Sequence, residues 1–225
     1  MTPLQPQRLV QSLPRTVQDL LHSLCCRSPE TVEHCRRVAN RSLELARAGH
    51  RLDMLGLHRT YLAGLLHDLG KLVVPVEVLD KREALSAEDW RLIKLSSVCG
   101  ESLIRPFLQP ADPLLQAVRS ERERWDGGGY PDGLYAEQIP VEARIVHLAD
   151  AIDAIVHHSA YREARTLDQA LEIVAECSGS QFDPYWVGTA WSLWAGRPLP
   201  SRIRGSRRGA VRPPLAHSNT DLNWD

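Results

Sequence analysis

Tyr61-Leu62-Ala63-Gly64-Leu65-Leu66-His67-Asp68-Leu69-Gly70-Lys71 is the stretch on which the reading of this chain turns. Leu62, Ala63, Leu65 and Leu66 predict a very apolar helix over about Arg59 to Leu69, stopping at Gly70. That helix carries an imidazole and a carboxylate side by side near its end. An unpaired buried carboxylate is expensive, so Asp68 demands a cation, either a metal or a nearby arginine. The same demand arises in Ile145-Val146-His147-Leu148-Ala149-Asp150-Ala151-Ile152, where Asp150 stands inside an equally apolar helix. A third piece is Glu30 with His34, four residues apart and therefore on one face of a predicted helix. Taken alone, that spacing describes an ordinary surface pair.

Working outward, apolar residues recur at helical spacing through most of the chain, and no segment alternates as a strand does. The expected fold is all-α. Val17, Leu20, Leu21 and Leu24 mark a first amphipathic helix. Ser28-Pro29 reads as an N-cap and first helical position for the next one, which carries Val32, Val38, Ala39, Leu45 and Ala46 and stops at Gly49. Pro75 predicts mostly loop from Leu72 to Leu85. Ser86 caps a helix bearing Trp90, Ile93 and Leu103, and another runs from about Asp112 to Arg124. Gly127-Gly128-Gly129-Tyr130-Pro131 must turn. Pro140 opens a long helix through Ile155, Thr166-x-x-Gln169 is a capping box, and Asp183-Pro184 opens a last helix ending near Gly196. Trp186, Trp191 and Trp194 have the spacing of a packing face. Residues 1–27 are expected to form an N-terminal segment with a packing helix, 28–195 the main domain, and 196–225 a basic tail. Arg197, Arg202, Arg204, Arg207, Arg208 and Arg212 lie there among Pro, Gly and Ser, too few apolar groups to order themselves.

A chain of 225 residues with 43% hydrophobic content suits one well-buried domain, and a net charge of −1 gives no sign of nucleic-acid binding. No stretch approaches the roughly 20 apolar residues of a membrane span. Met1 to Arg15 lacks the apolar core of a signal peptide. Cys25, Cys26, Cys35, Cys99 and Cys177 are odd in number and form no C-x-x-C pair, which predicts reduced thiols in a cytoplasm. Cys25-Cys26 reads as part of a buried helix face. His22, His50, His58, His157, His158 and His217 fall at predicted helix ends, loops or the tail and read as surface or capping residues.

His34, His67, Asp68 and Asp150 together make a borderline-hard N/O donor set, suited to Fe, Mn, Zn or Co. A metal held in this way acidifies water and polarises a phosphoryl oxygen. In order, His34, His67-Asp68-Leu69-Gly70-Lys71 and Asp150 resemble the H…HD…D signature of the HD phosphohydrolase superfamily. Arg124-Trp125-Asp126-Gly127-Gly128-Gly129-Tyr130-Pro131 resembles the GYP segment of the HD-GYP family. Ala143-Arg144-Ile145 through Asp153-Ala154, Tyr161-Arg162 and Gln181-Phe182-Asp183-Pro184 resemble its later landmarks. The resemblance covers about Pro29 to Trp191. It implies a helical bundle that binds two or three metals and hydrolyses cyclic di-GMP. Residue by residue, it implies metal ligation by Glu30, His34, His67, Asp68 and Asp150, with catalytic roles for Asp68 and Lys71. Lys71 would sit on the substrate phosphate, Arg144 and Arg162 near the nucleotide; the alternative for Arg144 is a structural salt bridge. The Gly127–Pro131 loop would dock a diguanylate-cyclase-type domain.

The chain departs from the family where the family places further imidazole ligands. Ser96 stands at one such position, and Glu121-Arg122 replaces a His-His pair. Serine is a poor ligand for these metals and arginine is none, because it stays protonated. Glu121 or His147 are the candidate substitutes; the alternative is that Arg122 fills the space as a fixed positive charge and clamps phosphate. The expectation is one divalent ion, not two or three. The function expected is that of a metal-dependent phosphodiesterase acting weakly on cyclic di-GMP or a related nucleotide. The alternative is an inactive cyclic di-GMP sensor or docking module.

Overall fold

A computed structural model describes residues 6–81, 83–157 and 165–197. Pro6–Gln11 forms α1 and Arg15–Arg27 forms α2. α3 (Pro29–Gly49) begins where the Ser28 side chain accepts the Thr31 N–H, with Pro29 at the first position. α4 (Met54–Leu66) is capped by Asp53, which accepts the Gly56 N–H. A 3-10 turn over Leu69–Val73 follows, then α5 (Val76–Leu79). α6 (Ala87–Ile104) opens with a full capping box between Ser86 and Asp89. α7 (Pro113–Arg119), α8 (Val141–Val156), α9 (Leu167–Glu176) and α10 (Pro184–Trp194) complete the helices of the described residues, which contain no named strand.

Two apolar clusters meet along α3 and α8. One gathers Val17, Leu21 and Leu24 of α2 with Val38, Leu62, Leu66, Leu115 and Val146. The other gathers Leu45, Ile145, Leu148 and Ile152 with Leu171, Trp186 and Trp191. Trp186 and Trp191 are fully buried and Trp194 packs against them, so the aromatic set is a packing face as its spacing predicted. α3 and α4 pack closely because position 64 is glycine; a Cβ there would lie 2.8 Å from the Ala39 Cα.

Several boundaries differ from the sequence expectation, each for a physical reason. The apolar helix starts at Met54, not Arg59, because Asp53 caps it. It ends at Leu66, not Leu69, because α6 crosses directly over the following turn. A Cβ on Gly70 would lie 1.8 Å from the Ser96 carbonyl oxygen, so only glycine permits the crossing. His67 and Asp68 therefore sit at the joint between helix and turn. The segment 72–85 includes α5, with Pro75 as its N-terminal neighbour. α7 ends at Arg119 rather than Arg124. Beyond it the Glu121 carbonyl accepts from the His147 ring and the Arg122 carbonyl from the Tyr130 N–H, so neither serves a helix. α1 was not legible in the sequence. Cys25-Cys26 is not a buried face: the buried stripe of α2 is Val17, Leu21 and Leu24, which leaves Cys25 half-buried and Cys26 exposed beside His22. No helix among the described residues is long and apolar enough to cross a membrane. Arg162, Tyr161, His158, His217 and the basic tail from residue 198 lie outside the described residues.

Candidate metal centre

The site forms where α3, the end of α4 and the middle of α8 converge. One ligand atom from each of His34, His67 and Asp68 lies within 4.8 Å of the others. Asp150 Oδ1 is 3.0 Å from His34 Nε2 and 3.8 Å from His67 Nε2. Side chains 119 residues apart at their widest, His34 and Asp153, touch in the same cluster.

Each of the two carboxylates turns one oxygen to the imidazoles and the other to an arginine. Asp68 Oδ2 lies 3.4 Å from His67 Nε2 and 3.9 Å from His34 Nε2. Its Oδ1 lies 3.7 Å from Arg122 Nη2. Asp150 Oδ2 accepts from Arg122 Nη1 at 3.0 Å. Arg122 Nε also donates to Glu121 at 3.1 Å, and Ser97 Oγ donates to the same carboxyl oxygen at 3.0 Å. On the other flank, Lys71 Nζ is 3.1 Å from Asp68 Oδ2 and keeps about 33% of its side chain exposed.

The protonation states follow from these contacts. Burial alone would raise the Asp68 and Asp150 carboxyls, but His67, Lys71 and His34 act on the first and Arg122 and His34 on the second, holding both well below the usual range. His34 also resists charging through burial, yet bonds to Asp150 and Asp153 lift it to about 9. His67 behaves oppositely. Burial outweighs the neighbouring carboxylates and lowers it, so its ring is neutral. Its Nδ1 contacts the Gly64 carbonyl oxygen at 2.8 Å, and a carbonyl only accepts, so the proton is on Nδ1. Nε2 therefore carries a lone pair, is buried, and has no hydrogen-bond partner. It faces two carboxylate oxygens that also only accept. Buried acceptors left facing one another are costly, and a cation among them removes the cost. By donor type and by this orphaned nitrogen, the residues present fit a divalent metal.

Glu30 is exposed one turn before His34 and stands outside the close group. Glu121 is buried; burial, with Asp150 and Asp68 adding to it and Arg122 opposing, pushes its carboxyl up to about 7. His147 is committed on both ring nitrogens, Nδ1 to the Glu121 carbonyl and Nε2 to the Gln181 amide at 3.2 Å, and burial lowers it to about 4. It is therefore not positioned as a replacement ligand. Ser96 turns its hydroxyl to the Ile93 carbonyl. Arg144 pairs with Asp183 at 2.8 Å, bracing α8 against the start of α10. The Gly127–Pro131 loop is held by its flanks: buried Glu123 accepts the N–H groups of Asp132 and Leu134, and Tyr130 N–H reaches the Arg122 carbonyl at 3.2 Å. Sequence reasoning gave no site role to Asp153 or Arg37. The signal was present, because Asp153 is a second carboxylate in the same apolar helix and needs a partner as Asp150 does.

Over residues 17–185 the chain matches the HD domain family. The chain belongs to that family. Among its relatives is the cyclic di-GMP phosphodiesterase response regulator RpfG of Xanthomonas campestris, 41% identical over 148 residues, 64% of this chain and 38% of the relative. A 3'3'-cGAMP-specific phosphodiesterase of Vibrio cholerae is 35% identical over 160 residues, 70% of this chain and 34% of the relative. This HD domain chain thus spans a little over a third of the length of these two relatives. An HDG"Y"P protein from Bdellovibrio bacteriovorus has the same fold, with a TM-score of 0.60 at 19% identity over 73% of this chain and 52% of that one. These likenesses agree with the HD-GYP resemblance read from the sequence, and with its all-helical fold.

Proposed function

We propose that this HD domain is a metal-dependent phosphohydrolase of cyclic dinucleotides, with one divalent ion, Fe or Mn or a similar metal, held by His34, His67, Asp68 and Asp150. The observation that carries the reading is the orphaned, buried Nε2 of His67 facing the Asp68 and Asp150 oxygens. The ion, when bound, supplies an acidified water and a polarised phosphoryl oxygen. Asp68 stays ionised and shares Oδ2 with Lys71, which ties the lysine to the centre. Lys71 remains charged, since Asp68 more than offsets its desolvation, and its exposed part places positive charge where negative charge develops on phosphorus oxygens. Arg122 is fixed by Asp150 and Glu121 and keeps 21% of its side chain exposed, enough to meet a phosphate. Arg144 and Arg162 are assigned to the nucleotide's surroundings, and Glu30 to the outer edge of the ligand set. Relatives named for cyclic di-GMP and 3'3'-cGAMP support a cyclic dinucleotide as substrate. Five cysteines with no disulfide fit a reducing cytoplasm.

Purified protein loaded with Mn or Fe is to be assayed on cyclic di-GMP, on linear pGpG and on nucleotide monophosphates. Metal-dependent opening of the cyclic diester is expected. No metal-dependent cleavage of any of them would overturn the enzyme reading. A second reading, docking of a diguanylate-cyclase-type domain through the Gly127–Pro131 loop, is supported by Glu123, which braces the residues just after the loop through the Asp132 and Leu134 N–H groups. Pull-down with such a domain, lost in Glu123→Ala, is the result that reading requires.

A further inference from the structure

Asp153 has no exposed surface and lies one turn beyond Asp150 on α8. Its Oδ2 is 2.8 Å from His34 Nδ1. A carboxylate accepts, so Nδ1 is the donor and carries the proton. The ring's other nitrogen, Nε2, which without a cation donates to Asp150 Oδ1 at 3.0 Å, is thereby the one that faces Asp150, Asp68 and the shared cation position and gives up its proton when a cation binds. The carboxylate is itself fixed. Arg37, three residues after His34 on α3, donates Nε to both oxygens at 3.2 and 3.1 Å and Nη2 to Oδ2 at 3.0 Å. Arg41 Nη2 and His157 Nδ1 approach Oδ1 at 3.8 and 3.1 Å. The two imidazoles of the centre are thus built alike, each donating from Nδ1 and each turning Nε2 inward. They differ in what holds them: a neutral carbonyl for His67, a full negative charge for His34.

We infer that Asp153 is a positioning residue for the metal centre, in which the Arg37–Asp153 pair locks the His34 tautomer and strengthens Nε2 as a donor to the cation, a reading that rests on the metal centre proposed above. Carboxylates placed behind a ligating imidazole fix its orientation and raise its basicity, and their loss costs about 10–100-fold in metal affinity. Asp153 touches no cation itself.

Zinc is the probe, because it is diamagnetic and suits an N/O site. Nitrogen-15 imidazole spectra of the zinc-loaded full chain are expected to show His34 protonated on Nδ1 and metal-bound through Nε2. Asp153→Asn is expected to weaken zinc binding about 10–100-fold by calorimetry and to lose that His34 signature. Arg37→Gln, which frees the carboxylate but leaves the His34 bond, is expected to weaken zinc a few-fold with the tautomer kept. A proton on Nε2 of the zinc-loaded wild type, or a folded Asp153→Asn with wild-type zinc affinity, would overturn the inference. If Asp153→Asn does not fold, the wild-type spectrum and Arg37→Gln decide. Failure of the wild type to bind zinc would instead remove the metal centre on which the inference stands.

Discussion

The two sides of Asp68 and Asp150 solve one electrostatic problem in different ways. On the imidazole side, Asp68 Oδ2 and Asp150 Oδ1 meet His34 and a neutral His67 whose inner nitrogen has no partner. On the arginine side, Asp68 Oδ1 and Asp150 Oδ2 meet a guanidinium that is built into the chain. The first side keeps an orphaned nitrogen among its oxygens despite Lys71 and His34; on the second the guanidinium satisfies the oxygens it meets. The difference teaches why a donor set can look half dismantled by sequence and still be well formed: where the family resemblance implies a further ligand pair, Arg122 holds the outer oxygens of both carboxylates.

The largest effect is expected from breaking the imidazole side. His67→Ala or Asp68→Ala should abolish retention of Mn after desalting, read by elemental analysis, with the fold intact by circular dichroism. Next comes the arginine side. Arg122→Ala leaves the Asp68, Asp150 and Glu121 carboxyls without their guanidinium, and the metal-free protein should lose roughly 3–5 kcal/mol of stability in denaturant unfolding. Added Mn should recover more of that loss than it adds to the wild type, because a cation then serves both sides; equal gains in both proteins would contradict the substitution of charge for ligand.

A smaller, pH-dependent effect isolates Glu121. Its carboxyl is at about 7 in the fold against an ordinary 4.5. The folded state holds this proton more tightly, so the contribution to stability is fully present below the ordinary value and is lost as pH rises through 7. Glu121→Gln removes that loss. Measured metal-free, the variant should gain on the wild type between about pH 5 and pH 8, on the order of 2–3 kcal/mol. A difference that does not change with pH would contradict the buried, proton-holding carboxyl. The smallest effect is expected at Glu30: exposed and outside the close group, Glu30→Gln should weaken Mn binding by no more than a few-fold in calorimetry.

Much of this was legible in the sequence because burial and charge conflict openly there. Asp68 closes one apolar run and Asp150 interrupts another, and the conflict called for a cation at each, a metal or an arginine; Arg122 meets both. The caps Ser28, Ser86, Thr166 and Asp183 marked helix starts that the structure keeps. What stayed hidden depends on contacts between distant segments. Nothing local shows that α6 crosses at Gly70 and cuts the apolar helix short, or that the loop and His147 take the carbonyls of Glu121 and Arg122 and stop α7. Arg122 was legible as a charge with a place to fill, but not as a fork shared among three carboxyls. Asp153 went unassigned because its partner lies on α3, far away in the chain.

The most direct test is the number of ions retained per chain after loading with Mn and desalting, measured by elemental analysis. One ion per chain is the predicted result, lost in Asp150→Asn. Two ions would contradict the arginine's role as the second cation, and none would contradict the shared cation among His34, His67, Asp68 and Asp150 altogether.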